Sequence, residues 1–197
     1  MPPGRSHAVT GRPYGGEMAE SDQNRWDERY ASADAPSTAE LPLAFADFAV
    51  EFASTTNALE IACGAGRASV WLAQQGVHVT GYDISAVAIG QAMSLANDHG
   101  VADRCSFETA DLDAGIPAGP PVDLIICHLF RDSRLDQSML DRLLSGGLVA
   151  VAALSEVGAA PGRFRVPAGE LTTAFAACDL LGHGEGDGVA WIVGRKG

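Results

Sequence analysis

Leu59-Glu60-Ile61-Ala62-Cys63-Gly64-Ala65-Gly66-Arg67 is the stretch that decides how this chain folds. The apolar run over residues 58–63 reads as a short buried strand. It breaks into a turn where Gly64 and Gly66 allow conformations that a Cβ would obstruct. Helical spacing follows at once: Ala68, Trp71, Leu72 and Gln75 share one stripe, and Gly76 supplies the stop. Strand, glycine turn and helix make one β-α unit.

Downstream the unit repeats. Residues 77–83 alternate as a second strand, and Ser85 is a plausible N-cap, with Ile84 and Ile89 spaced as a hydrophobic staple. The helix it opens runs to His99 and stops at Gly100. Cys105, Phe107 and Thr109 alternate in a third strand that closes at Asp111, before a loop dense in Gly and Pro. Residues 124–127 are apolar on both faces, as a central parallel strand requires. Leu135, Met139, Leu140, Leu143 and Leu144 mark a helix halted by Gly146-Gly147, and a fifth strand covers 148–154. After a loop through Pro161, Gly162 and Pro167 comes a helix over 169–177, with Leu171 and Phe175 inward. Two last strands, 180–185 and 189–193, flank Gly186-Asp187-Gly188, a turn that makes them an antiparallel hairpin.

Upstream, residues 1–21 read as a flexible Gly- and Pro-rich leader. A short helix over 22–31 carries Trp26 and Tyr30 on one face, and a second over 43–52 lines up Phe45, Phe48, Ala49 and Phe52. The expected architecture is α/β: a Rossmann-like doubly wound sheet, mostly parallel, with a C-terminal antiparallel hairpin, in one domain over 22–197.

Bulk properties narrow the function. A chain of 197 residues, 47% hydrophobic and 19% charged, suits one soluble globular domain. Its net charge of −12 repels phosphate backbones, so no nucleic-acid partner is expected. No apolar run is long enough to span a membrane, and the first twenty residues lack the apolar core of a signal peptide. Cys63, Cys105, Cys127 and Cys178 lie far apart without zinc or redox spacing, which points to a reduced, cytoplasmic protein. His7, His78, His99 and His183 show no ligand spacing, and no metal is expected. Oligomeric state leaves no mark in the sequence.

In an open doubly wound sheet, ligands bind beyond the carboxyl ends of the strands. The first three strands bring Glu60, Asp83 and Asp111 to that edge. Each acid alone also suits a helix N-terminus or a solvated turn. A glycine turn with Asp83 fits the ribose of NAD as well as that of S-adenosylmethionine, although the third glycine of the dinucleotide fingerprint is Ser69 here. Glu60 separates the two ligands, since it lies near the place where a dinucleotide lays its pyrophosphate. Like charges 4 Å apart cost about 4 kcal/mol at an effective dielectric near 20. For a ligand carrying an ammonium and a sulfonium the same interaction is attractive.

The segment Glu60 to Gly66, Gly81-Tyr82-Asp83-Ile84-Ser85, Thr109-Ala110-Asp111-Leu112 and the terminal hairpin together resemble the class I S-adenosylmethionine-dependent methyltransferases. Trp26-Asp27-Glu28-Arg29-Tyr30 and the stretch Phe164 to Leu171 resemble the small bacterial enzymes grouped with tellurite-resistance and thiopurine methyltransferases. The resemblance implies S-adenosylmethionine as cofactor and a small-molecule methyl acceptor. It implies that Ala62, Cys63, Gly64 and Gly66 contact the methionine part, with Glu60 near its ammonium. Asp83 is implied to accept the ribose hydroxyls, Ile84 to pack on adenine, and Asp111 with Leu112 to hold the adenine edge and ring. Trp26 and Tyr30 are implied to close over the cofactor, although a helix docked by its aromatic face explains them equally well.

His128, at the end of the fourth strand, is the candidate general base; a pocket-lining histidine that titrates nothing is the plainer reading. Arg131 is either a holder of an acidic acceptor or a surface charge, and the loop over 157–170 is either a lid or a connector. Two other functions compete. An NAD-dependent oxidoreductase explains the glycines and Asp83 but not Glu60, Asp111 or the hairpin. A non-catalytic S-adenosylmethionine-binding protein retains the pocket without the reaction.

Overall fold

The computed structural model describes residues 15–162 and 164–197; the leader expected over 1–21 lies outside them up to residue 14. The N-terminal helix α1 (Gly15–Ser32) begins earlier than the expected Asp22. A 3₁₀ turn (Leu43–Phe48) runs directly into α2 (Ala49–Ala53), so the expected single helix is wound in two ways, with Phe45 and Phe52 buried.

The β-α units follow as β1 (Asn57–Ile61), α3 (Arg67–Gln74), β2 (His78–Asp83), α4 (Ala86–Asp98), β3 (Cys105–Thr109), β4 (Val122–His128), α5 (Asp136–Arg142) and β5 (Leu143–Leu154). After α6 (Glu170–Ala174) the chain closes with β6 (Asp179–Gly186) and β7 (Val189–Arg195). One seven-stranded sheet has the order β3-β2-β1-β4-β5-β7-β6. Pairing is parallel from β3 across to β5, and antiparallel where β7 joins β5 and β6 joins β7. The hairpin turn has positive φ at Asp187 and Gly188, the backbone twist that two-residue hairpins favour.

Period-two alternation sorts the core onto both faces of the sheet. Leu59, Ile61, Ile125, Cys127, Val149 and Val151 pack with Met139 of α5 and with Leu171 and Phe175. Ala58, Leu124, Ile126, Ala150 and Ala152 face the other way, onto Phe45, Phe52 and Leu72. Helix α4 joins that second layer through Ile89, Ala92 and Leu95. No residue of α1 belongs to any of these clusters.

Several local expectations are corrected. The buried face of α3 is Ala68, Ser69, Val70, Leu72 and Ala73, while Gln75 is exposed. Gly146-Gly147 does not stop a helix. Helix α5 ends at Arg142, and the glycine pair lies in an irregular start of β5, between the pairs Val122↔Leu143 and Leu124↔Leu148. Gly146 takes φ +78° there, and its amide donates to Lys196 O at 2.8 Å. Leu144, expected inward, is exposed as a result. Glycine serves a helix end and a bulge equally well, so composition could not separate the two. The loop over 157–170 is tied back to the sheet and, through Phe164 against Arg25 (5.7 Å), to α1. Val166 and Glu156 pair across it, Arg165 Nη1 donates to Ser155 O (2.6 Å) and Gly188 O (3.0 Å), and none of its described residues lines the cavity described next.

Candidate active site

A cleft of about 580 Å³ opens at the carboxyl edge of the sheet, where β1 stands between β2 and β4. Register brings the site together. Ile61 pairs with Tyr82 on one side and Cys127 on the other, so Asp83 and His128 end their strands on either side of Ala62. Trp26, Tyr30, Glu60, Ala62, Cys63, Gly64, Asp83, Ile84, Asp111, Leu112 and His128 all line this one cavity.

Gly66 does not line it. A Cβ at Gly66 would lie 2.7 Å from Ala92 Cβ and 3.1 Å from Phe107, so this glycine lets α4 and β3 close against the turn. At Gly64 a Cβ would lie 2.4 Å from Tyr30 Oη, so the glycine makes room for that phenol. Ala62, Gly64 and Gly66 all have left-handed φ values, +54°, +53° and +74°. For alanine that conformation costs about 1–2 kcal/mol, against about 0.5–1 kcal/mol of extra chain entropy for glycine. Ala62→Gly is therefore expected to raise stability by about 0.5–1 kcal/mol, and chemical denaturation of the variant checks it.

Asp83 is 7% exposed, and its two oxygens accept from Gly64 N (2.8 Å) and Ser85 N (2.9 Å). The carboxylate is thus aimed by the backbone of the glycine turn on one side and of the α4 entry on the other. Because Gly64 N–H is taken by Asp83, that amide is not free for a phosphate, which weighs against the dinucleotide reading. Burial raises the Asp83 pKa, against hydrogen bonds from the backbone amides of Ser85, Gly64 and Ile84 that lower it.

Glu60 is 5% exposed, and its Oε2 accepts from the buried Ser69 hydroxyl. Ser69, which replaces the third glycine of the dinucleotide pattern, therefore has a definite partner. Burial pushes Glu60 up to about 7, partly offset by Ser69. No cation reaches its carboxyl group among the described residues.

Asp111 caps the 3₁₀ turn Leu112–Ala114 by accepting from Asp113 N at 2.9 Å. Its helix-capping role and its place in the cavity coexist. His128 stands edge-on to Phe45, with ring centroids 6.1 Å apart, and burial lowers its pKa. The next residue, Leu129, takes φ +57°, a left-handed strain of about 1–2 kcal/mol.

Sequence reasoning missed Asp27, whose Oδ1 accepts from Ser85 Oγ (2.5 Å) and Val87 N (3.2 Å), latching α1 to the start of α4. Gln91 Nε2 adds a bond to Tyr30 O at 3.0 Å. Trp26 and Tyr30 sit 6.1 Å apart on the resulting lip, with burial pushing the Tyr30 phenol up to about 12. Arg67 ties the turn to the preceding segment through Glu40 (2.7 Å) and Thr38 (2.9 Å). Arg131 is neither a ligand of this cavity nor a surface charge. It is buried and ion-paired to Asp136 and Glu170, which joins α5 to α6.

This sheet order, with its terminal hairpin and carboxylates on successive strand ends, defines the class I methyltransferase fold. Residues 58–147, which hold all three acids, match the family model of a methyltransferase domain. Among solved structures it resembles TehB from Haemophilus influenzae, with 19% identity and a TM-score of 0.70 over 89% of this chain and 67% of that one. The structure of the DhpI–SAH complex is 24% identical, with a TM-score of 0.62 over 93% and 98% of the two chains. The [4+2]-cyclase SpnF has a TM-score of 0.66 at 16% identity, over 91% and 95%. No curated protein matches the sequence.

Proposed function

We propose that the chain transfers the methyl group of S-adenosylmethionine to a small-molecule nucleophile by in-line displacement. The observation that carries this reading is Glu60, a buried carboxyl group that faces the cavity with no cation against it among the described residues. An uncompensated buried acid is destabilising, and a ligand with an ammonium and a sulfonium offsets that cost. Bound S-adenosylmethionine supplies a methyl group already activated by its sulfonium, so the chain need not provide a nucleophile.

The protein binds, orients and excludes water. Asp83 accepts the ribose hydroxyls, Ile84 packs on the adenine, and Asp111 with Leu112 holds its edge and ring. Ala62, Cys63 and Gly64 line the methionine part, with Glu60 at its ammonium. Arg29, which lines the cavity 5.0 Å over the Trp26 ring and has no carboxylate partner among the described residues, takes the ligand's carboxylate. Trp26 and Tyr30 close the lip. Alignment of an acceptor by such walls accounts for roughly 7–11 kcal/mol of barrier in favourable cases.

Isothermal titration tests the binding half of this reading: S-adenosylmethionine is expected to bind and NAD to give no heat. The reverse pattern would overturn it. His128, half-buried at the strand end with its pKa lowered by burial, is the base for acceptors that shed a proton. His128→Ala is expected to lower kcat about a hundredfold with such acceptors, the low end of general-base contributions. An unchanged kcat removes the role.

A further inference from the structure

Leu129 is the anomalous wall of the cavity. Its backbone is left-handed, φ +57°, and its amide is pinned to Ala152 O at 2.8 Å, so β5 holds it in that conformation. Its side chain is 50% exposed and belongs to none of the core clusters. Among the described large hydrophobic residues exposed to this degree, it alone lines the cavity. Glycine at this position would relieve the backbone and expose less apolar surface. The leucine is therefore unfavourable twice over. Strain kept at a cavity wall points to a ligand, and an apolar side chain specifies an apolar one.

The neighbours agree. Phe130, next in the chain, also lines the cavity and backs onto the core, and Pro42 lines it too. Charge says what the ligand is not. Seven carboxylates line the cavity against two guanidiniums. Of those two, Arg67 is held by Glu40 at 2.7 Å, and Arg29 is taken by the cofactor's carboxylate in the methyl-transfer reading. Arg131, the cation nearest in sequence to Leu129, is committed to Asp136 and Glu170 outside the cavity. An anion docked on Leu129 would find repulsion and no free partner.

We propose that Leu129 is the specificity-determining residue of the acceptor site, and that the acceptor is an uncharged small molecule whose apolar, ring-sized body docks against Leu129 and Phe130. The proposal rests on the methyl-transfer reading and adds a substrate class to it. The test uses the whole chain saturated with S-adenosylhomocysteine, titrated by calorimetry with naphthol and with naphthoate. These probes share a ring system and differ in charge at pH 7. Wild type is expected to bind naphthol at least tenfold more tightly than naphthoate. Leu129→Gly is expected to lose about tenfold toward naphthol while keeping its affinity for S-adenosylhomocysteine, with a melting temperature at or above that of wild type, and Leu129→Met to keep most of the naphthol affinity. Equal or tighter binding of naphthoate, unchanged naphthol binding by the glycine variant, or no binding of either probe overturns the proposal. The preliminary titration with S-adenosylhomocysteine is read separately: wild type failing there overturns the methyl-transfer reading itself, and the acceptor assignment with it.

Discussion

Replacing Asp83 by alanine is expected to weaken S-adenosylmethionine binding about 10²- to 10⁴-fold. A hydrogen bond to a charged group contributes about 1.5–3 kcal/mol. Two ribose hydroxyls on one carboxylate therefore amount to about 3–6 kcal/mol, and each 1.4 kcal/mol is tenfold. Gly64 N and Ser85 N hold the carboxylate, so little is lost in orienting it when the ligand arrives. The alanine variant also leaves those two amides without their acceptor, so its melting temperature should fall as well. Asp83→Asn keeps one carbonyl acceptor and turns an N–H toward the other amide, and its affinity should lie between the two. Isothermal titration of the three proteins decides the matter; an alanine variant within tenfold of wild type removes Asp83 from the cofactor site.

Glu60→Gln is expected to stabilise the free protein at pH 8 and leave it almost unchanged near pH 4. The folded-state pKa is raised, from 4.5 to about 7, by burial. A raised carboxyl contributes stability that is fully present below its unfolded pKa and is lost as pH rises through the folded value. Between about pH 4.5 and 7 the wild type therefore loses on the order of 3 kcal/mol that glutamine, with no proton to release, does not lose. For a domain of this size that corresponds to roughly 6–12 °C in Tm at pH 8. A cationic ligand reverses the sign, because it favours the ionised carboxyl and expels the proton. Affinity of the wild type for S-adenosylmethionine should rise from pH 6 to pH 8, and the glutamine variant should bind more weakly with a flat profile. Parallel pH profiles in the two proteins would sink the assignment of Glu60.

The fold was legible because parallel strands announce themselves. Residues 124–127 are apolar on both faces, and residues 58–63, Glu60 apart, run apolar into the turn at Gly64 and Gly66. The acids were legible for the same reason, since strands that run the same way deliver their ends to one edge. What escaped is long-range. Asp27 bonds a hydroxyl 58 positions away, and nothing in Trp26-Asp27-Glu28 marks which of its acids turns inward. Arg131 looked like a free cation because its partner Glu170 is 39 positions on. Leu129 was silent for another reason: leucine has no preference for a left-handed backbone, so its conformation is imposed by the bond to Ala152 and not by its own chemistry.

The matched family stretch, 58–147, does not coincide with the unit that makes the whole cleft. Excising it at those boundaries would keep Glu60, Asp83 and Asp111 on one fragment but discard α1 with its lip, Pro42, and most of β5 together with both strands beyond it. The acids would then look into bulk water, and Leu129 would lose the backbone bond that fixes it. Anyone grafting this pocket onto another scaffold has to carry the helix that Asp27 fastens and the far half of the sheet along with the glycine turn.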